Sequence, residues 1–289
     1  IEYNDNFYGK AHFDGKTWLL KTDGTADGTK LVTEITFEQV TTASLNVVVF
    51  DGLLYFFKRN DNLSWGLWKT DGTDALPEHA VQSNDPEDYS PHSLVASEDK
   101  LFFKANDGVH GDEWFVSDGT EAGTQMIIDL DPPDSDASTY FPVAFDNRLF
   151  FTRGDPNYGR EMWVSDGTAA GTHILIDLVP GPIGADIDLR KSVQTDSLLF
   201  FTAFSPEFGE ELWETDGTPN GTKIVWDICP GRCSSRPQDL FLYTFDRIVF
   251  SAFTHEDGLE PWIYDPYDIQ TKTKEETKDE ISISLYPNP

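Results

Sequence analysis

Basic residues are scarce in this sequence: 21 Lys and Arg stand against 51 Asp and Glu in 289 residues, a formal net charge of −30. Nucleic acid and anionic membrane surfaces reward clusters of Lys and Arg, so neither is expected as a partner. Such an acidic excess suits a soluble extracellular chain whose self-repulsion is screened by salt or calcium. Long apolar runs are missing too. None approaches the ~20 residues that a membrane-spanning helix needs, so no membrane insertion is expected. The first residue is Ile1 rather than Met, and no signal peptide follows it, so a processed or trimmed chain is expected.

Cysteine is nearly absent. Cys229 and Cys233 are the only two, in Cys-Pro-Gly-Arg-Cys. Closing so short a loop gains little entropy, but the Pro-Gly turn brings the sulfurs together. The expectation is a small disulfide tying one loop, which implies an oxidising compartment. A redox pair and half a metal site are the rival readings. Both are weakened because the spacing is not Cys-x-x-Cys and no second Cys/His pair follows. Gly-x-Ser-x-Gly, His-Glu-x-x-His and phosphate-loop motifs are also lacking. Gly15-Lys16-Thr17 lacks the upstream glycine of a phosphate loop. No window sustains a 3.6-residue period, so almost no helix is expected. Disorder is excluded by an aromatic content of 13%.

What the chain does have is a repeat. Asp118-Gly119-Thr120…Gly123-Thr124 recurs as Asp23-Gly24-Thr25…Gly28-Thr29, Asp166-Gly167-Thr168…Gly171-Thr172 and Asp216-Gly217-Thr218…Gly221-Thr222. Asp71-Gly72-Thr73 is a partial copy, with Leu76-Pro77 in place of the second Gly-Thr, and Asp265 survives before Pro266. These Asp positions are 48, 47, 48, 50 and 49 residues apart. A period of this length points to a repeat architecture, here one closed array. Within each unit, β-rich apolar runs alternate with Gly/Asp turns: 93–98, 101–105, 113–116 and 125–129 in the third, for example. Unit one supplies only the last three strands, and unit six has no clear fourth.

Four antiparallel strands in each of six such units is the pattern of an all-β propeller of six four-stranded blades, seven or more if the chain is truncated upstream. Stacked blades are apolar on both faces, which accounts for the unbroken Leu-Phe-Phe runs at 101–103, 149–151 and 199–201. In the third-to-fourth-strand turn, the Asp carboxylate is expected to accept nearby backbone N–H groups, with glycine taking positive φ. Asp23, Asp71, Asp118, Asp166 and Asp216 are therefore expected to be structural. Calcium is the functional alternative, although each turn holds one fixed carboxylate and calcium wants 6–8 oxygens. No cofactor is expected, and calcium is the one ion the acidic loops would suit.

Glu161-Met162-Trp163…Asp166-Gly167-Thr168 and Glu211-Leu212-Trp213…Asp216-Gly217-Thr218 resemble the ELWxxDGT repeat of secreted bacterial proteins, over about residues 7 to 265. Units two and six depart from that pattern at the Gly-Thr turn. The resemblance implies architecture and secretion and carries no catalytic residues. After a Lys/Thr/Glu-rich stretch, Tyr286-Pro287-Asn288-Pro289 resembles the opening of the C-terminal sorting domain of type IX secretion substrates, with a chance Pro turn as the rival reading. Residues 1–266 are thus expected to form the propeller, 267–280 a linker or closing strand, and 281–289 the start of a sorting domain. The resemblance implies a chain secreted by, or held on the surface of, a Gram-negative bacterium, with the type IX machinery as a partner. Asp196-Ser197-Leu198 resembles a short acceptor for bacterial O-glycosylation.

In such an array the short turns share one face and the long loops the other, and binding usually sits on variable loops carried by a rigid scaffold. The loops offer Trp65, Tyr89, Tyr140, Tyr158 and Phe208 as stacking platforms. Asp61, Asp107, Asp155 and Asp257, with Asp88, Asp136 and Asp186, are the candidate hydrogen-bond acceptors or calcium ligands. Aromatics beside carboxylates suit sugar hydroxyls and CH faces, and they suit solvated turns equally well. The expected function is binding of a glycan or a surface protein partner. A polysaccharide lyase or hydrolase is the rival, with His110, His255, Tyr158 and Arg153 as its catalytic candidates. Passive secretion cargo is the third reading.

Overall fold

The computed structural model describes residues 1–35, 47–59, 65–73, 78–82, 91–107, 109–130, 139–244 and 247–265. No helix occurs among them, and all regular structure is antiparallel sheet. Six sheets follow one another along the chain, each a simple meander. The first comprises Glu2–Tyr3, Asn6–Phe13, Lys16–Thr22 and Lys30–Glu34. The second is built from Val47–Phe50, Leu53–Arg59, Trp65–Thr70 and Glu78–Gln82, and the third from His92–Ala96, Leu101–Asn106, Asp112–Ser117 and Gln125–Met126. Thr139–Phe145, Arg148–Asp155, Gly159–Ser165 and His173–Ile176 form the fourth, and Asp188–Gln194, Leu199–Ser205, Gly209–Thr215 and Lys223–Ile224 the fifth. The sixth has Gln238–Leu242, Ile248–Thr254 and Gly258–Tyr264 and is three-stranded among the described residues.

Unit one was expected to lack its first strand, yet Glu2–Tyr3 supplies it, pairing with Asn6 and Phe7 across a two-residue turn. Asn4 and Asp5 both take positive φ in that turn, which Asn and Asp tolerate better than most residues. Two apolar-poor residues give no periodicity signal, so the strand was invisible to pattern.

The Leu-Phe-Phe runs explain how the sheets join. Leu101, Phe102 and Phe103 are all buried, as are Leu149–Phe151 and Leu199–Phe201. Side chains alternate across a strand. Leu101 and Phe103 pack with Tyr55 and Phe57 of the sheet before, while Phe102 packs with Leu149 and Phe151 of the sheet after. Phe150 then meets Leu199 and Phe201, and Phe200 meets Ile248 and Phe250. A fifth cluster joins Tyr8 and Leu19 of the first sheet to Leu54 and Phe56 of the second. Every interface between successive sheets is therefore an apolar core fed from both sides. From the second sheet to the sixth, the first strands also run beside one another.

Among the described residues the array is not closed into the expected ring, and five of its six sheets are four-stranded. Among the described residues no apolar cluster joins the first sheet to the sixth. The outer faces instead leave Phe7 and Phe13 at one end, and Phe253, Leu259 and Ile263 at the other, more than a third exposed. The segments expected to link or close the array, 267–280 and 281–289, lie outside the described residues.

The Asp-Gly-Thr turns are used up by the fold. In all five, Asp Oδ1 accepts the backbone N–H and the hydroxyl of the Thr two residues on, at 2.6–2.9 Å. These donors, the Thr hydroxyl first, hold each Asp carboxyl below its ordinary range. Where the second Gly-Thr is present, that same Thr hydroxyl accepts the glycine N–H at 3.0–3.1 Å. A side chain on Gly123 or its counterparts would collide with the Asp carboxylate, so only glycine lets the turn fold back on its own acid.

The first glycine works between sheets. Gly119 sits at φ 84°, and a methyl group there would lie 2.6 Å from the hydroxyl of buried Tyr55 in the preceding sheet. Tyr8 and Lys21 reach Gly72 in the same way, both donating to its carbonyl, and Arg148 donates to the carbonyls of Asp216 and Gly217. Gly119→Ala is expected to cost about 2–3 kcal/mol, from the left-handed backbone and the clash with a rigid ring. Chemical denaturation measures it. A loss under about 0.5 kcal/mol would show that the turn does not dock on the neighbouring sheet.

Candidate functional site

In the fourth and fifth sheets the second-to-third and fourth-to-first connections lie at the end opposite the Asp-Gly-Thr turns. Those loops are held by a residue type that loop reading overlooked, a buried glutamate. Glu161 and Glu211 are fully buried, five residues before the turn Asp of their units. Glu161 accepts the backbone N–H groups of Leu178 and Val179 at 3.3 and 3.2 Å. Glu211 accepts those of Ile228, Cys229 and Ser235 at 3.1–3.4 Å, and the Ser235 hydroxyl at 2.5 Å. Each carboxylate thus pins the loop that leads to the next sheet. Burial pushes the Glu161 carboxyl up to about 7 against its backbone donors, with Asp177 adding to the rise. Glu211 is also raised by burial, despite Ser235 and its other donors.

Cys229 and Cys233 are joined as a disulfide within the same pinned loop. His255 lies close by, its ligand nitrogen and the two sulfurs all within 4.8 Å. With the sulfurs bonded to each other, the group offers a metal only the imidazole. The disulfide reading holds, and among the described residues no other His, Cys or carboxylate joins this group.

The expected site residues separate into three kinds. Trp65 was expected to be a stacking platform but is 3% exposed, packed between the second and third sheets, because strand Trp65–Thr70 begins one residue earlier than its apolar pattern suggests. Phe208 is partly buried against the core between the fourth and fifth sheets. Tyr89, Asp61, Asp88 and Asp136 lie outside the described residues.

Asp107 and Asp155 are turn formers. Asp107 accepts the N–H groups of Val109 and His110 and pairs with the His110 ring at 2.7 Å. That hydrogen bond raises the His110 imidazole above its ordinary range. Asp155 accepts the N–H groups of Asn157 and Tyr158, and Arg153 at 2.9 Å. Asp257 stays exposed at its hairpin tip, where its N–H donates to Thr254.

The lyase candidates do not converge. His110 and His255 belong to the third and sixth sheets, with two sheets between them. Arg153 is buried, stacked 4.8 Å from the Trp163 ring and bonded to the Leu130 carbonyl and to Asp155. It serves as a cross-link rather than a free cation.

Two expected platforms are exposed. Tyr158 is 42% exposed and Tyr140 41%. Around Tyr140 the structure assembles a row that the sequence did not announce. The Arg160 guanidinium lies 5.0 Å from the Tyr140 ring, Tyr140 and Phe141 rings are 5.9 Å apart, and the Arg190 guanidinium lies 4.3 Å from Phe141. Backbone geometry sets this row. Phe141 has φ 56° at a bulge in strand Thr139–Phe145, where register shifts against Arg148–Asp155. A left-handed aromatic residue is a strained position, and such bulges re-aim side chains. Ser93 and Asp239 repeat the bulge in the third and sixth sheets. Arg190 comes from the neighbouring first strand, and Arg160 is fixed by Ala185, which donates to its carbonyl at 3.0 Å.

No family model matches the chain, and no curated protein matches it. Solved structures similar to it include the β-propeller domain of the trilobed protease from Pyrococcus furiosus, at 14% identity over 90% of this chain and 77% of that one, TM-score 0.49. A puromycin hydrolase matches at 10% identity, 82% of this chain, 38% of that one and TM-score 0.49. An acylaminoacyl peptidase matches at 13%, 91%, 42% and 0.48. The chain spans about two fifths of the length of these last two. Likenesses this distant say nothing of what the chain binds or does.

Proposed function

We propose that this chain is a β-propeller binding module, exported to the outside of a Gram-negative cell, whose loop face engages a glycan or a surface protein. The propeller reading is supported by six meanders in succession, cores on both faces of the inner four, and first strands that run side by side. The binding reading is carried by one contrast: the turn face spends its polar groups on itself, while the loop face of the fourth and fifth sheets leaves Tyr140, Arg160 and Arg190 in solvent. The non-converging histidines and the buried Arg153 give an enzyme no comparable support.

Glycan-array and surface-protein binding assays test this reading. Tyr140→Ala is expected to raise Kd at least tenfold, a loss of about 1.4 kcal/mol. Glu121→Ala, an exposed change on the turn face, should leave it unmoved. Loss through Glu121 and not Tyr140 would put the working face at the other end. The export part is tested by fractionating a producing strain with and without a working type IX route. Appearance in the medium or on the surface of both strains would refute it.

A further inference from the structure

We infer that the ligand of the loop face is a carboxylate-bearing sugar polymer, held by Arg160 and Arg190 in line with Tyr140 and Phe141; the inference rests on the binding reading above.

Charge is the first support. In a chain with 51 acidic and 21 basic residues, Arg160, Arg190 and Lys191 come together on adjoining elements and stay exposed, with side-chain exposures of 44%, 64% and 52%. Two carboxylates face them. Asp188 takes Nε and Nη2 of Arg190 at 2.9 and 3.0 Å, and Asp186 lies 4.0 Å from Arg160, too far for a direct hydrogen bond. Arg190 is thereby oriented rather than exhausted, since a guanidinium carries five N–H donors.

Stacking is the second support. A guanidinium lying over a ring has its plane fixed; on Arg190 the Nε–Nη2 edge is held by Asp188, which leaves Nη1 and the second N–H of Nη2 to meet a ligand carboxylate. Tyr140, 41% exposed, suits the apolar CH face of a pyranose, and Phe141, partly buried against the core between the fourth and fifth sheets, backs it and carries Arg190. Two exposed cations flanking one exposed ring therefore match a polymer whose sugar faces and carboxylates recur along its length. A peptide of acidic residues alone would use the cations but brings no ring face to Tyr140. The chain's own net charge works against loose polyanion binding. Beyond roughly 8 Å that repulsion is screened at physiological salt, while contact pairs persist.

The test compares polygalacturonate with its fully methyl-esterified, uncharged form and with poly-glutamate, by titration calorimetry at physiological salt. Wild type is expected to bind polygalacturonate at least tenfold more tightly than either comparison polymer. Arg160→Ala and Arg190→Ala should each weaken it at least tenfold, with circular dichroism and melting temperature unchanged. Equal binding of the charged and esterified polymers would overturn the acidic-sugar inference and leave the binding reading standing. So would binding of polygalacturonate that ignores both arginines. Preference for poly-glutamate would overturn it in favour of an acidic protein. Failure to bind these polymers, any glycan on an array or any surface protein would remove both readings.

Discussion

Glu211→Ala is expected to lower the unfolding free energy by about 3–5 kcal/mol, among the largest single losses available in this chain. The carboxylate sits in a fully buried position and takes three backbone N–H groups and one hydroxyl. Truncation orphans all four, and each unsatisfied buried donor costs about 1–3 kcal/mol before any water enters. The donors come from 228–235, so their release also frees the loop that carries the disulfide into the sixth sheet. Glu211→Gln keeps one acceptor and turns an amide against the remaining N–H groups, so an intermediate loss of about 1–3 kcal/mol is expected. Urea unfolding followed by tryptophan fluorescence measures both. A Glu211→Ala loss below about 1 kcal/mol would mean that the carboxylate does not hold the loop.

This glutamate shows where the sequence was readable and where it was not. Its position is periodic: Glu113, Glu161, Glu211 and Glu260 each stand five residues before the turn Asp, with Trp18 and Gly66 at that place in the first two units. A charge fixed inside an otherwise apolar strand was the available signal. Strand reading passed over it because a strand's termini ordinarily tolerate charge. The turns were legible because their chemistry is local. Asp, Gly and Thr close on one another within seven residues, and the same residues predict the same bonds in five units. Sheet stacking was legible from the Leu-Phe-Phe runs, since only a strand covered on both faces keeps three consecutive large apolar residues buried.

The exposed row around Tyr140 was only half legible. Tyr140 stood out as a loop aromatic, but Arg160 and Arg190 are 20 and 50 residues away from it. Their meeting depends on a bulge that places Phe141 in left-handed backbone and on neighbouring first strands running together. Neither has a local pattern, and a strained Phe is what propensity argues against. The reverse error occurred at Trp65 and Arg153, where polar loop neighbours suggested exposure and packing with the adjoining sheet or strand buried the side chain.

Between pH 5 and pH 8, wild type is expected to lose about 2.5 kcal/mol of stability relative to Glu161→Gln. The Glu161 carboxyl titrates near 7 in the folded chain, because burial penalises its charge, against an ordinary value near 4.5. An acid whose folded value is raised binds its proton more tightly when folded. It therefore adds no penalty below about 4.5, loses stability as pH rises toward 7, and is flat above. A difference of roughly 2.5 units corresponds to about 3.4 kcal/mol over the whole titration at 1.36 kcal/mol per unit, of which about 0.8 is already lost by pH 5. The turn acids run the other way. Their Thr partners depress Asp23, Asp71, Asp118, Asp166 and Asp216, so what they contribute disappears as pH falls through those lowered values. Opposed slopes place the stability maximum in mildly acid solution. Melting temperatures of the two proteins, scanned across this range, separate the glutamate from the general repulsion of a −30 chain, which both share. A gap between them that stays constant from pH 5 to pH 8 would mean that Glu161 keeps the same protonation state throughout, and that its backbone donors outweigh its burial.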